Sequence, residues 1–154
     1  MRFLPSLLIF TVLSACQNES TERASTDAAP SDEETVRYAQ AQFDPAMFDT
    51  VQWVDDSAHL ARGEDVFRWA CAKCHGITGR GDGGEVIEGD TLHPPSFLES
   101  DWRFADDANG LRRRIFVGNA RGMPHWGLRG MQPGDIVAVE KYILLRLRPQ
   151  HLQQ

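Results

Sequence analysis

The sequence has few cysteines, no excess of basic residues and no long hydrophobic segment. Its 154 residues include three cysteines, an odd number that argues against a disulfide scaffold. Lys and Arg total 16 against 22 Asp and Glu, for a formal net charge of −6. Phosphate binding needs a basic surface, so we expect no nucleic-acid partner. The 42% hydrophobic and 25% charged composition excludes collagen-like, coiled-coil and wholly disordered chains.

The most continuous apolar stretch is residues 3–12, which follow Arg2. It is shorter than the ~20 apolar residues that a membrane-spanning helix needs. Together with the following Leu13-Ser14-Ala15-Cys16 it resembles the signal peptide and lipobox of bacterial lipoproteins. The resemblance implies that residues 1–15 are removed and that Cys16 becomes a lipidated N-terminus anchored in the bacterial cell envelope and facing the periplasm. Gln17, where Asp would be an inner-membrane signal, favours the outer membrane; an ordinary cleavage site with a free Cys16 thiol is the alternative.

Residues 16–42 are predicted to form a flexible acidic tether after the lipidated cysteine. Residues 17–35 contain no Val, Ile, Leu, Met or aromatic residue, so they bury too little apolar area to offset the entropy of ordering. Acidity is concentrated there: residues 17–56 carry ten acids and two bases, whereas residues 57–154 carry twelve acids and thirteen bases. We therefore expect a nearly neutral folded domain on an acidic tether.

The two remaining cysteines occur as Cys71-Ala72-Lys73-Cys74-His75. Thiols three residues apart lie on one face of a helix, which suits two thioether bonds along one edge of a haem, and the next histidine can reach the iron. A redox dithiol would need a βαβ pattern around it, and a zinc site a second Cys/His pair; neither is present in the sequence. The motif therefore predicts one covalently attached haem c on Cys71 and Cys74, with His75 as an iron ligand.

Two stretches of the sequence resemble class I cytochromes c. They are Gly63-x-x-x-Phe67-x-x-x-Cys71-x-x-Cys74-His75-Gly76-x-x-Gly79-x-Gly81-Asp82-Gly83 and Ile115-x-x-Gly118-x-x-x-x-Met123-Pro124 followed by Tyr142-Ile143. The resemblance implies an all-α cytochrome domain over residues 57–148, with three main helices around one haem and a tail over 149–154. It also implies that Gly63 and Phe67 meet an aromatic residue of the C-terminal helix.

The second iron ligand has five candidates in the sequence: Met123, Met131, Met47, His93 and His125. The resemblance implies Met123, because Met-Pro in this loop supplies the distal ligand in that family. A thioether favours Fe(II) and raises the reduction potential. His125 is the alternative, although a solvated loop residue is its simpler interpretation.

Further contacts to the cofactor follow from the resemblance. Class I cytochromes c have a Pro-x-Leu motif, which corresponds here to Pro95-Ser96-Phe97. The resemblance implies that the carbonyl of Pro95, or alternatively that of Pro94, accepts a hydrogen bond from the ring nitrogen of His75 that does not face the iron. The Trp102 indole either donates to a haem propionate or packs in the core. The arginines of 112–114 could pair with propionates, although a helix aims only one or two of them inward.

Local signals place three helices and a flap. We predict helices over about 57–74 and 106–117 and a third that begins near Pro133, a good first helical residue. No strand pattern of useful length is present. Apolar residues return between 43 and 54, which predicts a flap over 43–56 packed on the domain; an apolar linker is the alternative.

With both axial positions filled, the iron would have no vacancy for a substrate. The expected activity is therefore not that of an enzyme but single-electron, outer-sphere transfer between redox protein partners such as an oxidase, reductase or dehydrogenase. The resemblance places four basic residues in loops around the haem edge, as a rim for acidic partners: Lys73, Arg80, Arg121 and Arg129. The alternatives are a dedicated subunit of a periplasmic dehydrogenase or reductase complex and a haem-based redox or gas sensor.

Overall fold

The computed structural model describes residues 29–149. The helices are α1 Asp32–Gln42, α2 Asp56–Val66, α3 Ala72–His75, α4 Ala108–Val117 and α5 Pro133–Tyr142. π-Helical turns over Phe67–Cys71 and Ile143–Leu147 follow α2 and α5, and a 3₁₀ turn covers Pro45–Phe48. The strands β1 Val86–Ile87 and β2 Asp90–Thr91 pair antiparallel, Val86 opposite Thr91. The predicted helical architecture is therefore confirmed for the described residues.

Helices α2 and α5 make the closest packing in the domain, at Gly63. A Cβ atom on Gly63 would lie 2.1 Å from the carbonyl oxygen of Ala138, so only glycine allows the two backbones to come this close. One turn further along, the rings of Phe67 and Tyr142 pack with centroids 5.6 Å apart. The predicted contact of Gly63 and Phe67 with an aromatic residue of the C-terminal helix is confirmed.

Local caps define the ends of the predicted helices. Asp55 accepts a hydrogen bond from the backbone N–H of Ala58 at 2.7 Å and so caps α2. Asp107 does the same for α4 through Gly110 at 2.8 Å, and Gly118, with φ of 67°, ends α4. The observed starts of α2 and α4 lie within two residues of the predicted ones.

The predicted flexible tether over 16–42 is wrong for Asp32–Gln42, which forms α1. Ser31 and Glu34 form a reciprocal capping box, and Ala39 is 0% exposed. End capping and the burial of an apolar face therefore order this acidic segment. The average composition of the segment reflects neither of these two causes. The signal peptide, Cys16 and the rest of the tether through residue 28 lie outside the described residues, as do residues 150–154 of the tail.

The segment over 43–56 packs against the domain. Phe48 is buried, and the Phe43 ring packs edge-on against Phe116 with centroids 5.5 Å apart. Trp53 lies nearly parallel to the His59 ring of α2, at 4.6 Å and 10°. Among the described residues, no helix is long and apolar enough to cross a membrane.

Candidate cofactor site

A cavity of about 590 Å³ lies at the centre of the residues picked out by the sequence motifs. Its lining includes both cysteines and the histidine of the motif, and also Met123 from the loop after α4. Apolar side chains supply much of the rest: Ala70, Leu111, Ile115, Phe97, Trp126 and Ile143. A mostly apolar cavity of this size, with a few polar groups, is typical of cofactor sites.

Cys71 and Cys74 are free thiols three residues apart, Cys71 at the end of the π-helical turn and Cys74 in α3. Burial raises the pKa of the Cys71 thiol to about 12, and burial together with Glu85 raises that of Cys74. Reactive dithiols have lowered pKa values, so this pair does not have the properties of a redox dithiol. The described residues also contain no group of three or more His, Cys, Asp or Glu side chains that could hold a metal ion.

His75 is a neutral, partly buried imidazole on the cavity wall. Burial lowers its pKa to about 4, so a ring nitrogen lone pair is available to a metal at neutral pH. Its Nδ1 atom is buried without a hydrogen-bond partner. The predicted hydrogen bond from His75 to the Pro95 carbonyl, or to that of Pro94, is therefore not formed: the ring stacks on Phe97 at 4.5 Å, and both prolines only line the same cavity.

Met123 lies in a loop that hydrogen bonds within the loop, mainly to Asn119, hold in place. The Asn119 side chain accepts hydrogen bonds from the backbone N–H groups of Arg121 at 2.7 Å and Met123 at 3.3 Å. The Asn119 N–H in turn donates to the Met123 carbonyl at 3.1 Å. The loop thus presents Met123 to the cavity as a fixed turn and not as a mobile segment.

The cavity separates the five candidates for the second iron ligand. Only Met123 and His93 are among its lining residues. Met131 is buried in the hydrophobic core, and Met47 packs against that core. Neither methionine lines the cavity. Nδ1 of His125, also outside the lining, donates to the carbonyl oxygen of Val117.

The arginines of 112–114 point in different directions. Arg112 forms an ion pair with the buried Glu140 at 2.9 Å, away from the cavity. Arg114 lines the cavity and donates to the carbonyl oxygen of Gly118 at 3.0 Å. Burial lowers the Arg114 pKa, and Arg103, Arg113 and Arg121 lower it further.

Two other parts of the lining bear on the sequence predictions. Trp102 packs between Phe97 and Phe104, at 5.1 and 5.5 Å, and borders the cavity as well, so its two predicted roles are compatible. Arg103 was not singled out in the sequence, although it lines the cavity and directly follows Trp102, the only signal that could have indicated it. Of the predicted rim, Lys73 forms an ion pair with Glu85 at 2.7 Å, whereas Arg121 borders the cavity.

The residues present fit a covalently attached haem. Two thiols on one turn, a neutral imidazole beside them and a thioether on the wall of the same cavity are the donor set that such a group requires. The orphaned Nδ1 of His75 is consistent with a ring whose environment is incomplete without the cofactor.

Comparison with known proteins agrees with this chemistry. Residues 58–143, more than half of the chain, match the family described as cytochrome c oxidase, cbb3-type, subunit III. The cbb3-type cytochrome c oxidase subunit CcoP of Azospirillum sp. (strain B510) is 30% identical over 74 residues. That match covers 48% of this chain and 24% of the relative, so the chain corresponds to about a quarter of the relative's length.

A solved structure shares the fold. It is the Kuenenia stuttgartiensis reducing HAO-like protein complex Kustc0457/Kustc0458, similar with a TM-score of 0.53 and 20% identity over 69% of this chain and 49% of that one. The helical domain accordingly has the class I cytochrome c fold. The chain belongs to the cbb3-type cytochrome c oxidase subunit III family, whose cytochrome c domain binds haem c covalently and carries electrons without being an enzyme itself.

Proposed function

We propose that this protein carries single electrons between redox proteins through one haem c ligated by His75 and Met123. The observation that carries the proposal is that both side chains line the same cavity as Cys71 and Cys74, whereas Met131, Met47 and His125 do not. Bound there, the haem would supply a reversible Fe(III)/Fe(II) couple.

The chain's own residues would attach, orient and shield this group. Cys71 and Cys74 form the thioether bonds, and the neutral imidazole of His75 offers its lone pair. Met123 supplies a soft sulfur, which raises the reduction potential relative to a second imidazole. Phe97, Ile115 and the other apolar wall residues exclude water. With His75 and Met123 both holding the group, no position would be left for a substrate on the metal, and electron transfer would be outer-sphere.

An aromatic pair connects the cavity with the protein surface. Trp126 lines the cavity, and its ring meets the ring of Trp69 edge-on at 5.4 Å. Trp69 is 55% exposed and lies two residues before Cys71. The guanidinium of Arg129 lies 5.8 Å from the Trp126 ring centroid. We place the docking face for a redox partner here, with an apolar centre and a cation that favours acidic partners.

The cellular setting is also a proposal. Leu13-Ser14-Ala15-Cys16 supports a lipid anchor on Cys16, facing the periplasm and located in the outer membrane in preference to the inner. The names of the two similar proteins, an oxidase subunit and a protein complex, favour a second candidate: a dedicated electron-transfer subunit of a larger redox complex. Co-purification of a stoichiometric partner would distinguish that role from a mobile carrier.

The axial ligand is tested by comparing three variants of the haem-loaded protein. In Met123→Ala we expect loss of the methionine–iron charge-transfer band and a lower midpoint potential, because the thioether is removed. Met131→Leu is the matched control, since it replaces a buried methionine outside the cavity and should keep the band. His93→Ala tests the other candidate in the lining. A band that survives in Met123→Ala and disappears in Met131→Leu would contradict the proposed ligation, as would a parent that lacks the band and a haem spectrum that changes only in His93→Ala.

A further inference from the structure

A second cavity, of about 480 Å³, lies between α1 and α4. Glu33, Val36, Arg37 and Gln40 of α1 form one wall, and α4 with the residues after it forms much of the other. Four arginines line it: Arg37, Arg103, Arg113 and Arg114. Arg103 and Arg114 also line the cofactor cavity, so the two cavities share a border.

The positive charge of this second cavity is poorly compensated. Among residues 29–149, none of Arg103, Arg113 and Arg114 forms an ion pair with a carboxylate. Arg37 reaches only Glu34, at 4.0 Å and with both side chains largely exposed. The contacts of Arg103 and Arg114 are with the Phe104 ring and the Gly118 carbonyl, neither of which carries a charge.

The two acidic residues of the lining do not change this balance. Asp107 caps α4 through its hydrogen bond to the Gly110 N–H, at 2.8 Å, and Glu33 lies at the exposed first turn of α1. Four cations therefore face two carboxylates. Like charges held this close repel one another, and a bound anion would relieve the repulsion.

We propose that this second cavity is a binding site for a small oxyanion of the phosphate class. The planar guanidinium group presents two parallel donors that match phosphate oxygens, and four arginines line this cavity. The haem propionates cannot account for the whole cluster. Arg37 and Arg113 line the second cavity without lining the cofactor cavity, so an anion held between them would not be a group of the cofactor.

The shared border links this site to the iron, a step that rests on the proposed function. An oxyanion beside Arg103 and Arg114 adds negative charge next to the cofactor cavity, which stabilises Fe(III) more than Fe(II). Binding therefore lowers the midpoint potential. By thermodynamic reciprocity, the oxidised protein binds the anion more tightly than the reduced protein does.

The test uses the oxidised, haem-loaded protein and inorganic phosphate at constant ionic strength, balanced with chloride. Backbone amide NMR shifts of residues 108–120 report binding. Arg37→Gln and Arg113→Gln remove exposed cations that line only the second cavity. Arg146→Gln removes the same charge from an exposed residue that lines neither cavity. We expect saturable binding in the parent and in Arg146→Gln, and at least about tenfold weaker binding in the other two, because each loses a charge-assisted contact.

Two further measurements separate the source of the oxyanion and the link to the iron. Binding to phosphatidylglycerol vesicles, compared with phosphatidylcholine vesicles, tests whether the oxyanion is a lipid headgroup. Binding that Arg113→Gln weakens supports the site, and whether inorganic phosphate or the vesicles show this effect identifies the source of the oxyanion. The midpoint potential should fall with phosphate in the parent and stay constant in Arg113→Gln.

The site is overturned if phosphate shifts never saturate, or if they are equal in all three variants; the result is then an adventitious ion only. If phosphate binding saturates but the midpoint potential does not change, the link to the iron is overturned and the binding site is still supported. The haem absorption bands of the same samples report the proposed function independently, because their absence would contradict haem attachment whatever phosphate does.

Discussion

At the scale of single residues, Gly63 is a helical position that has no room for a side chain. Alanine there would bring its Cβ to 2.1 Å from the Ala138 carbonyl oxygen and 2.7 Å from the Tyr142 Cβ. Relief requires α2 and α5 to move apart, since the nearest contact is backbone. We expect Gly63→Ala to lower the free energy of unfolding of the haem-loaded protein by about 1–3 kcal/mol, even though alanine favours helices. Urea titration followed by far-UV circular dichroism measures this change.

Gly134 provides the matched control, because it is also helical but faces open space. A Cβ on Gly134 would approach nothing closer than Trp53, at 3.9 Å. Gly134→Ala should therefore leave the free energy of unfolding unchanged or raise it by up to about 1 kcal/mol. Equal destabilisation by the two substitutions would show that the close contact at Gly63 is not what makes that glycine necessary.

Residues with a motif around them could be predicted, whereas residues brought in by the fold could not. Cys71, His75 and Met123 were identified because their neighbours in the sequence define the chemistry, and all three line one cavity. Arg103 also lines that cavity, and its only local signal is that it directly follows Trp102. The Pro95 hydrogen bond depends on the rotation of one imidazole ring, a detail that sequence spacing cannot specify.

At the scale of elements, the 43–56 flap is held on α2 by one aromatic stack. The His59 ring, 7% exposed, lies against Trp53, and its Nε2 is buried without a partner. Burial lowers the pKa of His59, and Lys141 and Arg112 lower it further, against the raising effects of Asp56 and the Val137 backbone. The folded protein therefore keeps this ring neutral below the pH at which the unfolded chain binds a proton.

The sign of the resulting pH dependence follows from proton linkage. Above about pH 6.5 the ring is neutral in both states and costs no stability; as pH falls below 6.5, the unfolded state gains a proton that the folded state does not. We expect His59 to make the free energy of unfolding fall on acidification, by at most about 1.4 kcal/mol per pH unit. Urea titrations between pH 8 and 5.5 measure the slope.

His59→Phe serves as the control, since it keeps an aromatic ring against Trp53 and removes the titration. The difference between parent and variant also cancels the effect of Glu140, whose pKa burial raises and whose contribution therefore has the opposite sign. If parent and variant show the same slope, His59 is not the group responsible.

The helices differ in how well the sequence could predict them. α2, α4 and α5 carry their start signals locally, in Asp55, Asp107 and Pro133, and the predicted boundaries were close. The sequence does not predict α1, because the tether over 16–42 is inferred from the acidic, apolar-poor composition of residues 17–35. That composition does not register the Ser31 cap, and the buried Ala39 lies beyond the stretch on which the prediction rests.

At the scale of the whole molecule, the cofactor cavity is large relative to the domain around it. Leu111 and Ile115 of α4 and Ile143 after α5 all border it, so helices from both halves of the chain meet across this space. At about 24 cal/mol per Å³, a dry void of 590 Å³ would cost about 14 kcal/mol, an upper bound because this cavity opens to solvent. Total folding stabilities are about 5–15 kcal/mol, so even a fraction of this cost is a large share of the stability of the domain.

We therefore predict that the chain without haem is largely unfolded. Protein produced in cells that lack the haem-attachment machinery should show weak far-UV helical signal and no cooperative thermal transition, whereas the haem-loaded protein melts cooperatively. The double variant Cys71→Ala/Cys74→Ala separates covalent attachment from cavity filling: partial recovery of helicity on adding free haem is expected if occupancy supplies the missing core. A cooperative, native-like melt of haem-free protein would mean that the apolar walls collapse on one another and that the cofactor is dispensable for folding.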